Sequence, residues 1–161
     1  MAITRLNNNS ITSITALPSG IATGKVLQVR QNIISGVATT NSFSYADLVT
    51  HTITPSASTS KILICIRLGE LDQLDGRVGT LIYRDGSAIS SDARLAGEIG
   101  RGLGFSGTED HLGGEFNMYL DSPNSTSELT YALRWRSDNF GNTVRVNNGS
   151  ASGLTLIEIG A

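Results

Sequence analysis

The chain has 161 residues, of which 39% are hydrophobic and 16% are charged, and its formal net charge is -2. This length predicts a single domain that is large enough to bury a core. The small net charge provides no general attraction to nucleic acid or to anionic membranes. No stretch approaches the roughly 20 apolar residues of a membrane span, and the N-terminal "MAITRLNNNS" lacks the apolar region of a secretory signal. We therefore expect no nucleic-acid partner and no membrane insertion.

Residues 1–24 differ in composition from the rest of the chain. They are rich in Asn, Ser and Thr, they contain no acidic residue, and Pro18, Gly20 and Gly24 interrupt any helical or strand pattern. Apolar residues nevertheless recur along the segment: Ile3, Leu6, Ile11, Ile14 and Leu17. Terminal segments are often disordered tails. We favour an extended N-terminal arm that orders only against another copy or a larger assembly.

From Lys25 onward the sequence predicts short strands separated by turns. The predicted strands lie in "KVLQVRQ", "YADLVTHTI", "KILICIRL", "RVGTLIYRDGSAIS", "GEFNMYL", "ELTYALRWRS", "NTVRVNN" and "GLTLIEIG". Asp85-Gly86 between two of these runs is a strong signal for a β-hairpin. About eight or nine short strands predict an all-β fold, an antiparallel β-sandwich that is jelly-roll-like, over residues 25–161.

The only cysteine lies in the most apolar of these strands. Two alternating sets of side chains follow the strand: Ile62, Ile64, Ile66 and Leu68 on one face, and Leu63, Cys65 and Arg67 on the other. Because both faces are largely apolar, we expect both to be covered over most of their length. Cys65 is then a packing residue and not a reactive thiol.

The strand "ELTYALRWRS" has the clearest alternation in the chain. It predicts an inward set of Leu129, Tyr131, Leu133 and Trp135 and an outward set of Thr130, Ala132, Arg134 and Arg136. The alternation separates Trp135 from the two arginines, which argues against a cluster that stacks nucleic-acid bases. We expect the arginines to bridge to acids on a neighbouring strand or subunit.

No arrangement of chemically reactive residues stands out. His51 and His111 are far apart and, with one cysteine, give no zinc-ligand spacing. The candidate acidic residues form two groups, Glu70, Asp72 and Asp75 in "GELDQLDG" and Glu109 with Asp110 in "GTEDH", in segments that we interpret as solvated loops. We therefore predict no catalytic residues, no metal and no cofactor, and we do not expect an enzyme.

Four segments of the sequence together carry a resemblance to known proteins: "SITSITALPSGIATGKVLQV", "ITPSASTSKILICIRL", "YLDSPNSTSELTYALRWRS" and "LTLIEIG". They resemble segments of small structural proteins of tailed bacteriophages, especially phages of cyanobacteria and marine bacteria. The similarity touches both ends of the chain and leaves out residues 69–114. The resemblance implies a virion protein, a fibre or a surface decoration, built on a compact trimeric β-sandwich, and it implies no catalytic residues.

Two hypotheses follow for the function. In the first, the chain is a virion component of the tail-fibre type, a homotrimer that the arm docks to other virion structural proteins; a capsid decoration protein is the variant of this hypothesis. In the second, it is a carbohydrate-binding module that grips host surface glycan. Aromatic residues in the outer loops, Phe105 and Phe140, would favour the second hypothesis, whereas the arm favours the first.

Overall fold

The structure is a computed structural model, which describes residues 25–73, 78–90, 110–112, 115–137 and 143–160. Within these ranges every regular element is a β-strand, and all strand pairs are antiparallel. The strands are β1 (Lys25–Ile34), β2 (Ala38–Thr40), β3 (Ala46–Ile53), β4 (Lys61–Leu68), β5 (Leu71–Gln73), β6 (Val78–Arg84), β7 (Ser87–Ala88), β8 (Asp110–Leu112), β9 (Glu115–Asp121), β10 (Leu129–Ser137), β11 (Val144–Val146) and β12 (Ser152–Gly160). The predicted all-β fold is confirmed.

The strands form three four-stranded sheets. Sheet I has the order β1-β12-β4-β9, sheet II has the order β3-β10-β6-β7, and sheet III, made of short strands, has the order β2-β11-β5-β8. When the strands of sheet III are set aside and β6 and β7 are counted as one hairpin, successive strands alternate between sheets I and II, and the first and last strands pair with each other. This interleaving is compatible with the jelly-roll interpretation, which stays a prediction.

One hydrophobic core joins the three sheets, as in a sandwich. Sheet I contributes the predicted face of β4 together with Leu154 and Leu156, and sheet III contributes Leu71, Val144 and Val146. The inward residues of β10 come from sheet II, and the side chain of Trp135 is only 4% exposed. The predicted register of β10 is therefore confirmed, and it follows from the two-residue period of the strand.

The Asp85-Gly86 hairpin is also confirmed. Arg84 pairs with Ser87, and the two turn residues both have positive φ, 48° at Asp85 and 81° at Gly86. Two consecutive positive φ values are typical of a type I′ turn, whose twist matches that of the strands it joins. The carboxylate of Asp85 also accepts a hydrogen bond from the backbone N–H of Thr130, which ties the turn to β10.

Two short strands were not among the predicted ones: β2, which follows β1 after a short turn, and β5, which includes Asp72. A third, β8, includes Asp110 and His111 and lies in segment 95–114, which the sequence predicts to be a loop with short strand pieces. The interpretation of Asp72 and Asp110 as loop residues was wrong for their backbones, which lie in strands of sheet III. Strands of three residues carry too little alternation to be recognised in a sequence, and pairing with neighbours is what makes them strands.

Candidate assembly surface

The edge strand β1 exposes most of its apolar side chains, and of these only Ile34 packs against the core. Val29 and Ile33 are exposed on the face of sheet I that points away from sheet II, whereas Gln28 and Asn32 point inward. Gln28 Nε2 donates to the carbonyl oxygen of Thr54 at 2.7 Å, and Asn32 Nδ2 donates to the carbonyl oxygen of Thr50 at 2.8 Å. These polar side chains of β1 therefore bind sheet I to the β3 region, while the side chains of Val29 and Ile33 remain in solvent.

The other edge strand of sheet I, β9, has the same inverted orientation. Phe116, Met118 and Leu120 are exposed on the outer face, with 63% of Phe116 accessible to solvent. The inward Tyr119 donates from its hydroxyl to the carbonyl oxygen of Ile89 at 3.0 Å. The inward Asp121 accepts hydrogen bonds from side chains of sheet II. At both edges of sheet I, polar groups join the two sheets and apolar groups face outward.

The central strands β4 and β12 complete this outer face. The strand register aligns its side chains in three rows: Phe116, Arg67, Gly153 and Ile33; Met118, Cys65, Thr155 and Gln31; Leu120, Leu63, Ile157 and Val29. Directly opposed residues in antiparallel strands project from the same face. Most positions in these rows are apolar, and the one polar pair is satisfied internally, because Gln31 Nε2 donates to Thr155 Oγ1 at 2.9 Å. Arg67 is the one charged residue in the three rows.

Cys65 lies in the middle row. The prediction that β4 is covered on both faces was wrong for the described residues, because Leu63 and Cys65 are only half-buried and Arg67 is exposed. Partial burial raises the pKa of the Cys65 thiol, so the thiol is protonated and uncharged at neutral pH. The cysteine therefore contributes apolar surface to the outer face, and its packing role stays a prediction.

The outer face is not flat. A groove of about 190 Å³ lies between Ile33 on β1 and Phe116 on β9, with Cys65, Gly153 and Thr155 among its lining residues. Gly153 has no side chain to fill this space. A Cβ atom at Gly153 would meet only ordinary contacts, 3.5 Å from the carbonyl oxygen of Asn32 and 3.5 Å from the side chain of Ile33. An apolar cavity of about 150 Å³ can hold a benzene molecule, so this groove has room for one large apolar side chain.

Glu158 shows how sheet I binds polar groups on its inner side. Its carboxylate is fully buried and accepts hydrogen bonds from Gln28 Nε2 and from the backbone N–H of Ser56, both at 2.6 Å. Burial by itself would raise the pKa of Glu158, but the hydrogen bonds from Gln28 and Ser56 outweigh it and hold the pKa below its usual value. Glu158 is thus an ionised hydrogen-bond acceptor that fixes the β3–β4 connection.

The outward side of sheet II has a different chemistry. The guanidinium of Arg134 lies 4.3 Å from the ring centre of Tyr83, and that of Arg136 lies 4.6 Å from the ring centre of Tyr45. Arg134 also forms an ion pair with Asp47 on the neighbouring strand β3. This pair confirms, for Arg134, the expectation that the outward arginines bridge to acids on a neighbouring strand.

The residues singled out in the sequence as assembly or ligand contacts cannot be placed on these surfaces. Ile3, Leu6, Ile11, Ile14 and Leu17 of the arm, and Phe105 and Phe140 of the loops, lie outside the described residues. The outer face of sheet I was missed. The signal for it was present in β9, where Phe116, Met118 and Leu120 alternate with polar residues, but alternation does not say which set points inward.

Neither a scan against protein-family models nor a search of curated proteins gave a match. Within the described ranges, no three His, Cys, Asp or Glu side chains come together as a potential metal site. The same ranges contain no helix long and apolar enough to cross a membrane.

Proposed function

We propose that this chain is a structural component of a bacteriophage virion, a tail-fibre-type protein that assembles as a trimer and docks through its N-terminal arm. The observation that carries the proposal is the exposed apolar outer face of sheet I. Contiguous apolar surface of this kind marks sites of protein–protein contact. It extends across all four strands of the sheet, from Val29 and Ile33 to Phe116, Met118 and Leu120.

The orientation of the edge strands supports assembly more strongly than exposure alone. A monomer would be more stable with the apolar residues of β1 and β9 in its core, since burying one such side chain stabilises by about 1.5–3 kcal/mol. Both strands instead direct polar side chains inward, to bonds such as that from Asn32 to Thr50. The free energy of burial on the outer face is available only when another protein surface covers it. The resemblance of the sequence to phage structural proteins supports the virion as that setting.

The proposal is tested by the molar mass of the chain in solution and by its presence in particles. Met118 is 57% exposed on the outer face, so Met118→Lys leaves the core unchanged and places a charge in the proposed interface. Thr130→Lys is the matched control, because Thr130 is exposed on the outward side of β10 in sheet II. We expect light scattering to give a trimer for the unmodified chain and for Thr130→Lys, and a smaller species for Met118→Lys.

The protein composition of virus particles tests whether this chain is a virion component. Mass spectrometry of purified particles of the virus that encodes the chain should detect it, and separated heads and tails distinguish a tail fibre from a capsid decoration protein. A monomeric chain that is absent from the particles would overturn the proposal.

One observation favours carbohydrate binding as a second candidate. Tyr45 and Tyr83 lie side by side on the outward face of sheet II, with their ring centres 6.3 Å apart, next to Arg134 and Arg136. Aromatic rings offer apolar faces to sugar rings, and guanidinium groups donate hydrogen bonds to hydroxyl groups. Binding of the unmodified chain to a glycan array, lost in Tyr83→Ala, would support this function; no binding to any glycan would remove it.

A further inference from the structure

The outer face of sheet I has the shape of a trough. The side chains on the two edge strands stand highest, with Ile33 55% exposed on one side and Phe116 63% exposed on the other. The floor between them is formed by residues of β4 and β12: Cys65, Thr155 and Gly153, which are half-buried or small, and Arg67, which is exposed and also lines the groove. The groove at Gly153 is part of this trough.

The width of the trough indicates what kind of polypeptide can bind in it. Neighbouring strands lie about 4.8 Å apart, so β1 and β9 are about 14 Å apart across the sheet. An extended segment packed on this face would lie about 10 Å above the sheet backbone, and its width is about one strand spacing, so it fits lengthwise between the raised edges. Two copies of the face stacked directly on each other would bring the raised edges into contact and leave the floors apart. An extended apolar segment complements this surface better than a second sheet does.

A segment of that kind is part of this chain. Residues 1–24 immediately precede β1, which is itself an edge of the trough, and they contain Ile3, Leu6, Ile11, Ile14 and Leu17. Fully extended, such a segment reaches up to about 80 Å, several times the width of the sheet. It has no acidic residue and one basic residue, Arg5, among its first 24 positions, so the segment brings one charged side chain at most to a floor whose own charged residue is Arg67.

We propose that the trough on the outer face of sheet I receives residues 1–24 of a neighbouring copy of this chain, with an apolar side chain of that segment in the groove at Gly153. This inference rests on the proposed function, since it supplies the contact by which copies assemble. The segment would have to reverse direction at Lys25 to enter the trough of its own copy, whereas continuing past the end of β1 leads it away from its own sheet. When each copy gives its segment to the next, all troughs are filled and the ring closes, as cyclic symmetry requires.

Cys65 on the floor of the trough allows a direct test in the full-length chain. It is the only cysteine, so single variants Ile11→Cys, Ile14→Cys and Leu17→Cys each create one further thiol. Oxidation by dioxygen with a copper–phenanthroline catalyst joins two thiols that lie in contact as a disulfide and needs no room for a bulky reagent, and the links are read on a gel run without reductant. We expect covalent oligomers on a denaturing gel for at least one of these variants, and none for Gly36→Cys, which is exposed and outside the three rows of the outer face.

A second test fills the groove. Gly153→Val adds a side chain at a position where a Cβ meets only ordinary contacts, so the fold accepts it while the docking space is lost. Gly36→Val is the matched control, because nothing lies within 4 Å of a Cβ at that position. In the unmodified chain and the control, the docked segment should shield Cys65 from maleimide. In Gly153→Val, the labelling of Cys65 should be about tenfold faster, and the trimer should dissociate. A tenfold change corresponds to a destabilisation of the docked state, relative to the open state, by about 1.4 kcal/mol.

The outcomes separate this inference from the proposed function. Links within one chain, seen as a monomer with an internal bridge, overturn donation by a neighbour. A trimer in which Cys65 reacts as fast as in the unfolded chain and links to no arm cysteine overturns the trough as the docking site, while assembly itself stands. A chain that light scattering shows to be monomeric overturns both.

Discussion

Tyr131 and Asp121 join the two large sheets through a hydrogen bond of 2.7 Å from the phenolic hydroxyl to Oδ2 of the carboxylate. Tyr131 lies in β10 of sheet II and Asp121 at the end of β9 in sheet I. Burial and the hydrogen bond to Asp121 raise the pKa of Tyr131 far above its usual value, so the phenol remains a donor at any pH that the fold tolerates. Arg84 adds a second bond, from NH1 to the same oxygen at 2.6 Å.

Tyr131→Phe should lower the free energy of unfolding by about 1.5–3 kcal/mol, because the lost hydrogen bond has a charged acceptor. The comparison is Tyr119→Phe, which removes a bond to the neutral carbonyl of Ile89 and should cost about 0.5–1.5 kcal/mol. Urea denaturation followed by circular dichroism measures both. Equal costs for the two variants would show that the charge on Asp121 adds nothing to this contact.

Glu158→Gln should make the stability of the chain less dependent on pH. The pKa of Glu158 is lower in the folded chain than in the unfolded chain, so its carboxylate contributes stability above the unfolded pKa, about 4.3. That contribution disappears as the pH falls through the lower folded pKa. The variant should therefore be less stable at pH 7 and lose less of its remaining stability on acidification. Denaturation curves at several pH values check this, with Glu128→Gln, an exposed residue, as the control; parallel curves for Glu158→Gln and the unmodified chain would contradict it.

Trp135→Ala should lower the free energy of unfolding by about 3–5 kcal/mol, because the side chain is 4% exposed and its removal leaves a large cavity. Trp135→Phe keeps most of the buried volume and should cost clearly less. Chemical denaturation monitored by circular dichroism compares them. A cost below about 1 kcal/mol for the alanine variant would mean that the core can close around the missing ring.

Cys65→Ala should preserve folding and assembly. The side chain is half-buried on the outer face, and removing a single small group there should cost no more than about 1 kcal/mol. Light scattering and a particle-incorporation assay are the measurements. A folded variant that no longer assembles would assign Cys65 a role beyond packing.

Deleting residues 1–24 should leave a folded domain that joins the particle weakly or not at all. β1 begins at Lys25, and the described strands account for the whole core cluster, so the deletion removes no residue of that core. Circular dichroism tests the fold and particle incorporation tests docking. Normal incorporation of the truncated chain would remove the arm from the docking mechanism.

The sequence by itself determined which segments are long strands and, for β10, which side chains enter the core. In Leu129 to Trp135 the apolar set alternates with Thr130 and Arg134, and the two-residue period then leaves one way to bury the larger set. For β4 both faces are largely apolar, and the sequence did not show that the face of Leu63 and Cys65 stays outside the core. The Asp85-Gly86 turn could also be predicted from local sequence, because a turn with two consecutive positive φ values favours these residue types wherever it occurs. The arm residues and the aromatic residues Phe105 and Phe140 stay predictions.

Only the tertiary structure decided the orientation of the edge strands β1 and β9. An alternating strand has two faces, and the pattern is the same whichever face points inward, so the choice depends on what lies across the sandwich. Asn32 faces inward because the carbonyl oxygen of Thr50 accepts a hydrogen bond from its side chain. Asp121 faces inward because Arg84 and Tyr131 donate hydrogen bonds to its carboxylate. These partners are distant in sequence, and the apolar outer face that results from their pairing is therefore a property of the folded chain.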